Sequence, residues 1–266
     1  MSKTRGYAIS CASIVAFLLF WHFGTKILGV PDYLLPGPMA VAQSAYKLYS
    51  TGLIFPHVYT TVLEMVIGYA AGCCVAFLLA ALVSEFPVAE RIVLPYVIGF
   101  QSMPKVALAP ILLVWFGFGL ASKIILVALI CFFPVFVNTV AGLRSTNVDL
   151  VDLYKAFSGP RWLVFWDVKL PNAANSIFAG LQIGIVLGLI GAVVGEFVAA
   201  KQGLGYMIQA SSMNFDVGAM FTCVFTLSLI GILAHMLIRA IQSRVVYWDK
   251  PRGSRLTATP SSAEQA

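Results

Sequence analysis

The sequence predicts an all-α integral membrane protein with six transmembrane helices and a large semi-polar loop on the cytoplasmic side. Three observations carry this. Hydrophobic residues make up 60% of the 266 and charged residues 11%, far from the roughly 45–50% and 25% of soluble domains. Uncharged runs at 6–25, 65–84, 106–122, 124–143, 170–195 and 217–238 each approach the ~20 residues with which a helix crosses a ~30 Å hydrocarbon core. The basic residues then divide unevenly. With the N-terminus inside, the cytoplasmic side takes Lys3, Arg5, Arg91, Lys105, Arg144, Lys155, Arg161, Lys169, Arg239, Arg244, Lys250, Arg252 and Arg255, and the outer side only Lys26, Lys47, Lys123 and Lys201. That is the positive-inside bias, and it places both termini in the cytoplasm. It also explains the net charge of +6 without a nucleic-acid partner.

The first span covers 7–29. Lys3 and Arg5 precede it as in a signal peptide, but no small-residue cleavage site closes it, so it reads as a retained helix. Pro31, Pro36 and Pro38 then break the chain, and 40–49 forms a short amphipathic helix along the outer surface. The second span, 59–83, carries Gly68 and Gly72 at the spacing that lets helix backbones approach closely. Glu64 near its outer end reads as an interfacial charge. A short inner loop, SEFPVAER, leads to the third span.

That third span is irregular, with Pro104 and Pro110 inside a stretch that must cross the membrane. A proline-broken helix survives there only where protein or a wet cavity satisfies the freed carbonyls, so these prolines mark a candidate pathway wall as well as a plain kink. The fourth span, 123–143, contains Pro134 and Asn138. The fifth, 177–199, carries Gly180, Gly184, Gly188, Gly191 and Gly195, a stripe that expects close contact with a helix of this or another subunit. The sixth, 218–242, ends in a basic stretch with Tyr247 and Trp248 suited to the interface. The chain thus divides into an N-terminal helix with its external loop (1–58), a transmembrane domain (59–248) and a disordered cytoplasmic tail (249–266).

Polar residues at membrane depth are pathway candidates. Glu196 is foremost, as the carboxylate of the fifth span, against the simpler reading of a headgroup-level acid. Gln101, Ser102, Asn138 and Gln182 are weaker, and interhelical hydrogen bonds explain them equally well. His22 and His235 are single histidines on apolar helices and read as packing residues. The five cysteines lie in apolar runs with no CxxC pair and no histidine at ligand spacing, so no metal is expected.

Between the fourth and fifth spans lies DLYKAFSGPRWLVFWDVKLP, 152–171. It resembles the signature loop of the membrane subunits of binding-protein-dependent ABC importers: Glu-Ala-Ala, three residues, Gly, nine residues, Ile, one residue, Leu-Pro. Asp152-Leu153-Tyr154 takes the first place, Ser158 the glycine place, Val168 the isoleucine place, and Leu170-Pro171 the end. Gly159 follows Ser158 and can take the left-handed turn between two short helices. The stretches 104–123, 132–144 and 195–208 resemble the nitrate/sulfonate/taurine branch, and the resemblance extends over 60–245. It implies that Asp152, Ala156, Ser158, Gly159, Val168, Leu170 and Pro171 form a coupling-helix loop gripped by a separate ATPase. Asp152 would pair with a basic residue there or cap a helix start, and Pro171 would stop the second short helix. It further implies two ATPase copies, an extracytoplasmic solute-binding protein, a permease homodimer, and a small anion such as sulfonate, taurine or nitrate as solute. Related subunits also serve vitamin precursors and aromatic acids. The chain has no G-x-x-x-x-G-K-[ST] loop, so it carries no cofactor itself and ATP with Mg belongs to the partner. An ion-coupled secondary transporter would want paired half-repeats, and a membrane-embedded enzyme would want a nucleophile with its base; the sequence offers neither.

Overall fold

A computed structural model describes residues 3–27, 29, 31, 33–156 and 160–248, with side chains at all of these but 3–11, 14, 87, 155, 161 and 199. Eleven α-helices run in the order α1 Lys3–Ile27, α2 Pro38–Ser50, α3 Phe55–Glu85, α4 Pro87–Gln101, α5 Ala109–Phe116, α6 Leu120–Arg144, α7 Val148–Ala156, α8 Arg161–Leu163, α9 Leu170–Ala199, α10 Leu204–Met213 and α11 Val217–Val245. A 3-10 turn at Lys105–Leu108 precedes α5, and a π-helical turn at Val164–Lys169 precedes α9.

The bundle is built around α6, which packs along both α3 and α9. Small residues make this possible. A Cβ at Gly72 would stand 2.4 Å from the Ala128 carbonyl oxygen, and one at Gly188 would stand 2.7 Å from Cys131 Sγ. The glycine stripe of α9 therefore meets a helix of its own subunit. The core is correspondingly apolar: Ala76, Ala80 and Val83 of α3 and Val97 of α4 bury against Phe133, Phe136 and Val140 of α6.

Four helical stretches are long and apolar enough to cross a membrane, Phe55–Glu85, Leu120–Arg144, Val164–Val198 and Val217–Val245, and the bent pair Val88–Gln101 and Lys105–Phe116 makes five if counted as one span. The six expected spans are thus not all matched. At the first, the apolar stretch with described side chains is only Val15–Ile27, short of the ~20 residues a crossing needs.

The expected inner loop 84–91 is helical except at one residue. Phe86 is extended (φ −121°, ψ 101°) between α3 and α4, because the residue before a proline is pushed out of the helical region. Pro87 then starts α4, where its missing N–H is harmless. The same grammar breaks the third span. Pro104 (φ −69°, ψ 91°) separates α4 from the 3-10 turn, Pro110 falls in the first turn of α5, and the two arms bend by 87°.

The second helix of the loop does not stop at Pro171. Lys169 and Leu170 keep right-handed helical dihedrals, and the π turn runs into α9. Pro171 cannot donate to the preceding turn, and a π turn is a usual place to absorb such a missing bond. At the other end of α9, α10 follows residues 200–203 as a further short helix before α11. The tail 249–266 lies outside the described residues.

Candidate functional site

Three polar constellations interrupt the apolar bundle. The first is the loop between α6 and α9. Asn147 opens α7 by accepting the Asp149 amide at its Oδ1, 2.9 Å away, an N-cap. The cap is therefore Asn147 and not Asp152, which lies in the second turn. Asp152, Leu153, Tyr154 and Ala156 are all exposed. Ser158 and Gly159 lie outside the described residues.

The second half of the loop is rooted in the bundle. Val164 and Val168 are buried, and Phe165 and Leu170 pack with Leu143, Ala173 and Ile177. Lys169 Nζ lies 2.5 Å from Glu85 Oε1 at the end of α3. Trp162, Phe165 and Trp166 face Leu78, Leu82 and Phe86 across a groove of about 450 Å³. One helix farther on, Arg144 at the end of α6 pairs with the buried Glu90 of α4. The loop is thereby fastened to both sides of the α3–α4 elbow.

The second constellation lies at the opposite end. Glu196 is fully buried, which overturns the reading of a headgroup-level acid in water. Thr61 Oγ1 donates to its Oε1 at 2.6 Å, and the Gly205 amide donates to its Oε2 at 2.5 Å. Leu204 N donates to Thr61 Oγ1 at 2.8 Å, and Gly203 N donates to His57 Nδ1 at 3.1 Å. A carboxylate and a hydroxyl thus take the free amides that begin α10, where a helix start favours negative charge. Gly203 sits at φ +125°, and a Cβ there would lie 2.2 Å from Glu196 Cδ. One turn along α3, Glu64 Oε1 meets Lys123 Nζ at 2.5 Å, with both residues buried. The reading of Glu64 as a simple interfacial charge gives way to this buried pair, with Lys123 at the start of α6 as its partner.

The third constellation is the break in the third span. Contacts from α4 and α5 are spread along α6: Glu90 pairs with Arg144, Val97 buries in one cluster with Phe133, Phe136 and Val140, Lys105 lies over the Phe133 ring at 4.8 Å, and Ala109 buries in one cluster with Leu126 and Ile130. Phe133 is about 17 Å from Arg144 and about 20 Å from Leu120 at 1.5 Å per residue. Lys105 therefore sits midway along α6, not in a cytoplasmic loop. Pro104 and Pro110 border it, and Gln101, Ser102, Met103 and Pro104 are exposed.

Asn138 and Gln182 both make hydrogen bonds to the bundle. Asn138 Nδ2 donates back to Pro134 O at 2.8 Å on its own helix. Gln182 Nε2 donates to Gln242 Oε1 at 2.6 Å, and Gln242 to Asn175 Oδ1 at 3.1 Å, joining α9 to α11. Sequence reading passed over Glu85, Glu90 and Lys169 as partners. The available signal was two acids flanking Phe86-Pro87 at the same end as Arg144 and Lys169. Among the described residues no group of three His, Cys, Asp or Glu could hold a metal.

The comparisons with known proteins bear on this arrangement. Residues 68–247 match the family described as the binding-protein-dependent transport system inner membrane component. The chain is 34% identical over 233 residues to a formylaminopyrimidine transport permease of Halalkalibacterium halodurans, covering 88% of this chain and 92% of that one. It is 32% identical over 237 residues to a riboflavin transport system permease of Chloroflexus aurantiacus (89% and 88% covered), and 24% identical over 250 residues to the taurine transport permease of Escherichia coli (92% and 91%). The fold is similar to a chain of the inward-facing MetNI methionine ABC transporter, with a TM-score of 0.65 at 19% identity, covering 73% of this chain and 96% of that one. A family match over most of the transmembrane bundle, joined to a loop with the signature spacing, settles the kinship: the chain belongs to the family of inner membrane components of binding-protein-dependent transport systems, a multi-pass permease subunit of the ABC importer class.

Proposed function

We propose that this permease forms half of a solute pathway whose opening and closing is driven by a separate ATPase gripping α7. The observation that carries this is mechanical. α7 stands exposed at one end of the bundle, while the segment that follows it is locked to the α3–α4 elbow through Lys169 and Glu85. A pull on α7 would thereby pass to α9 and, through Glu85, to the start of the broken third span. Two permease copies would enclose the pathway, with an ATPase on each exposed loop, an extracytoplasmic binding protein at the Glu196 end, and both termini in the cytoplasm. ATP and Mg would act on the partner, since this chain has no phosphate loop.

The solute on this reading is a small anion of the sulfonate, taurine or nitrate kind, in line with the taurine-permease relative. A second reading has support of its own: the relatives at 34% and 32% identity are named for formylaminopyrimidine and riboflavin, which favours a vitamin precursor. ATP-dependent uptake of radiolabelled taurine and of formylaminopyrimidine into proteoliposomes containing permease, ATPase and binding protein separates the two. Uptake of equal rate with the ATPase omitted would overturn the driven-importer reading.

A further inference from the structure

Lys105 stands at the break of the third span, whose other charged residues, Glu90 and Arg91, lie at the far end of α4. Lys123, Arg144 and Lys169 each face a carboxylate. Lys105 meets no carboxylate among the described residues. Its Nζ donates to the Gln101 carbonyl at 3.0 Å and lies over the Phe133 ring. In an unbroken helix the Gln101 carbonyl would accept the backbone amide four residues on, so the break frees it to hold the lysine head.

An ammonium carries three donors. One goes to the Gln101 carbonyl and the Phe133 ring takes one side, and the remaining donors have no protein acceptor among the described residues, beside the exposed strip Gln101–Pro104. The register along α6 puts this strip near mid-depth, where an ionised group without a partner is costly and ordinarily faces a cavity or a partner. A lysine that only closed the end of α4 would need neither this depth nor the exposed Gln101 and Ser102 beside it. The lysine stem also fits the use: it is a compact, strongly hydrated point charge that meets an oxyanion without demanding the planar match of a guanidinium.

We propose that the Lys105 ammonium is the counter-charge site for an oxyanion on the transported solute, a sulfonate, carboxylate or phosphate group, held at mid-depth by the break at Pro104. This rests on the reading of the chain as half of a solute pathway. It gives the small-anion reading a residue: the oxyanion meets Lys105, whichever ring or chain carries the charge.

The experiment places a cysteine at Ser102, in the exposed strip beside Lys105, in the permease–ATPase complex. Two probes of similar size and opposite charge compete for it, a sulfonatoethyl and a trimethylammonioethyl methanethiosulfonate, with labelling at position 102 read by peptide mass spectrometry. With Lys105 present the sulfonate reagent reacts faster. Lys105→Gln lowers the sulfonate-to-ammonium rate ratio roughly tenfold, the scale expected for removing a unit charge a few ångströms away in a partly wet site, and Lys105→Arg preserves it. An unchanged ratio in Lys105→Gln, or no labelling by either reagent, overturns the proposal. Retention of the ATPase is scored on the same samples: its loss from the parent complex would instead count against the importer reading.

Discussion

Lys169 Nζ and Glu85 Oε1, 84 residues apart in the chain, meet at 2.5 Å where the loop after α7 passes the end of α3. Each side chain is partly exposed, at 21% and 30%, so the pair adds little to stability; exposed ion pairs are worth ~0–1 kcal/mol. Its value is geometric, because it joins the segment the ATPase would move to the elbow that leads into the broken span.

Lys169→Ala is therefore expected to uncouple rather than unfold. Uptake in proteoliposomes should fall several-fold while ATP hydrolysis and thermal stability remain near the parent's. The exchange Glu85→Lys with Lys169→Glu should recover most of the uptake. If hydrolysis and uptake fall together in Lys169→Ala and the exchange restores neither, the link is not a transmission point.

The exposed face of α7 makes a separate prediction. Asp152 is exposed in the second turn of a helix already capped by Asn147, so reversing its charge should leave the helix standing. Asp152→Lys, or deletion of 152–159, should abolish ATPase co-purification and solute uptake while membrane insertion is unaffected. Normal ATPase retention by both variants would refute the docking role.

Gly203 tests the opposite end. Its φ of +125° is one that side-chain-bearing residues rarely adopt, and a methyl there would overlap the Glu196 carboxyl carbon at 2.2 Å. Gly203→Ala should destabilise the detergent-solubilised protein by about 2–4 kcal/mol, combining backbone strain with displacement of a buried cap. Glu196→Gln keeps the shape and one acceptor oxygen, and should cost less. Thermal unfolding of the two variants checks the order, and equal midpoints would show that Glu196 is not held against Gly203.

Much of this architecture was legible in the sequence because lipid leaves few options. Long uncharged runs must be helices, and the glycines of α3 and α9 had to meet a neighbour, which proved to be α6. The prolines told less. Pro104 does break its span, but the same residue type at 134 sits inside an uninterrupted α6, and Pro171 lies in a helix that continues through it. Which outcome holds depends on whether neighbours absorb the missing bond, and spacing alone does not report that. The charges told least. Glu64, Lys123 and Glu196 look alike in sequence to headgroup-level residues, since each is near an end of its apolar run; Glu196 is buried under the start of α10, and Glu64 and Lys123 bury against each other where α3 packs on α6. Lys105 falls on the cytoplasmic side when the apolar run is counted from residue 106, just past it, because a charge ends an uncharged run wherever the helix actually breaks.

The Glu64–Lys123 pair offers the sharpest test of that burial. Both side chains are withdrawn from solvent, at 0% and 6% exposure, and Glu64 Oε2 has no hydrogen-bond partner. Coulomb attraction in such a site is largely offset by the desolvation of both ions, so the pair need not be strongly stabilising, whereas removing one member strands the other charge. Glu64→Leu and Lys123→Met should each lower stability by about 3–5 kcal/mol. The double variant Glu64→Leu with Lys123→Met should lie close to the parent, giving a large coupling energy in the double-mutant cycle. Additive losses, with the double variant the least stable of the set, would mean that water reaches the pair and that α3 and α6 are not sealed together at this end.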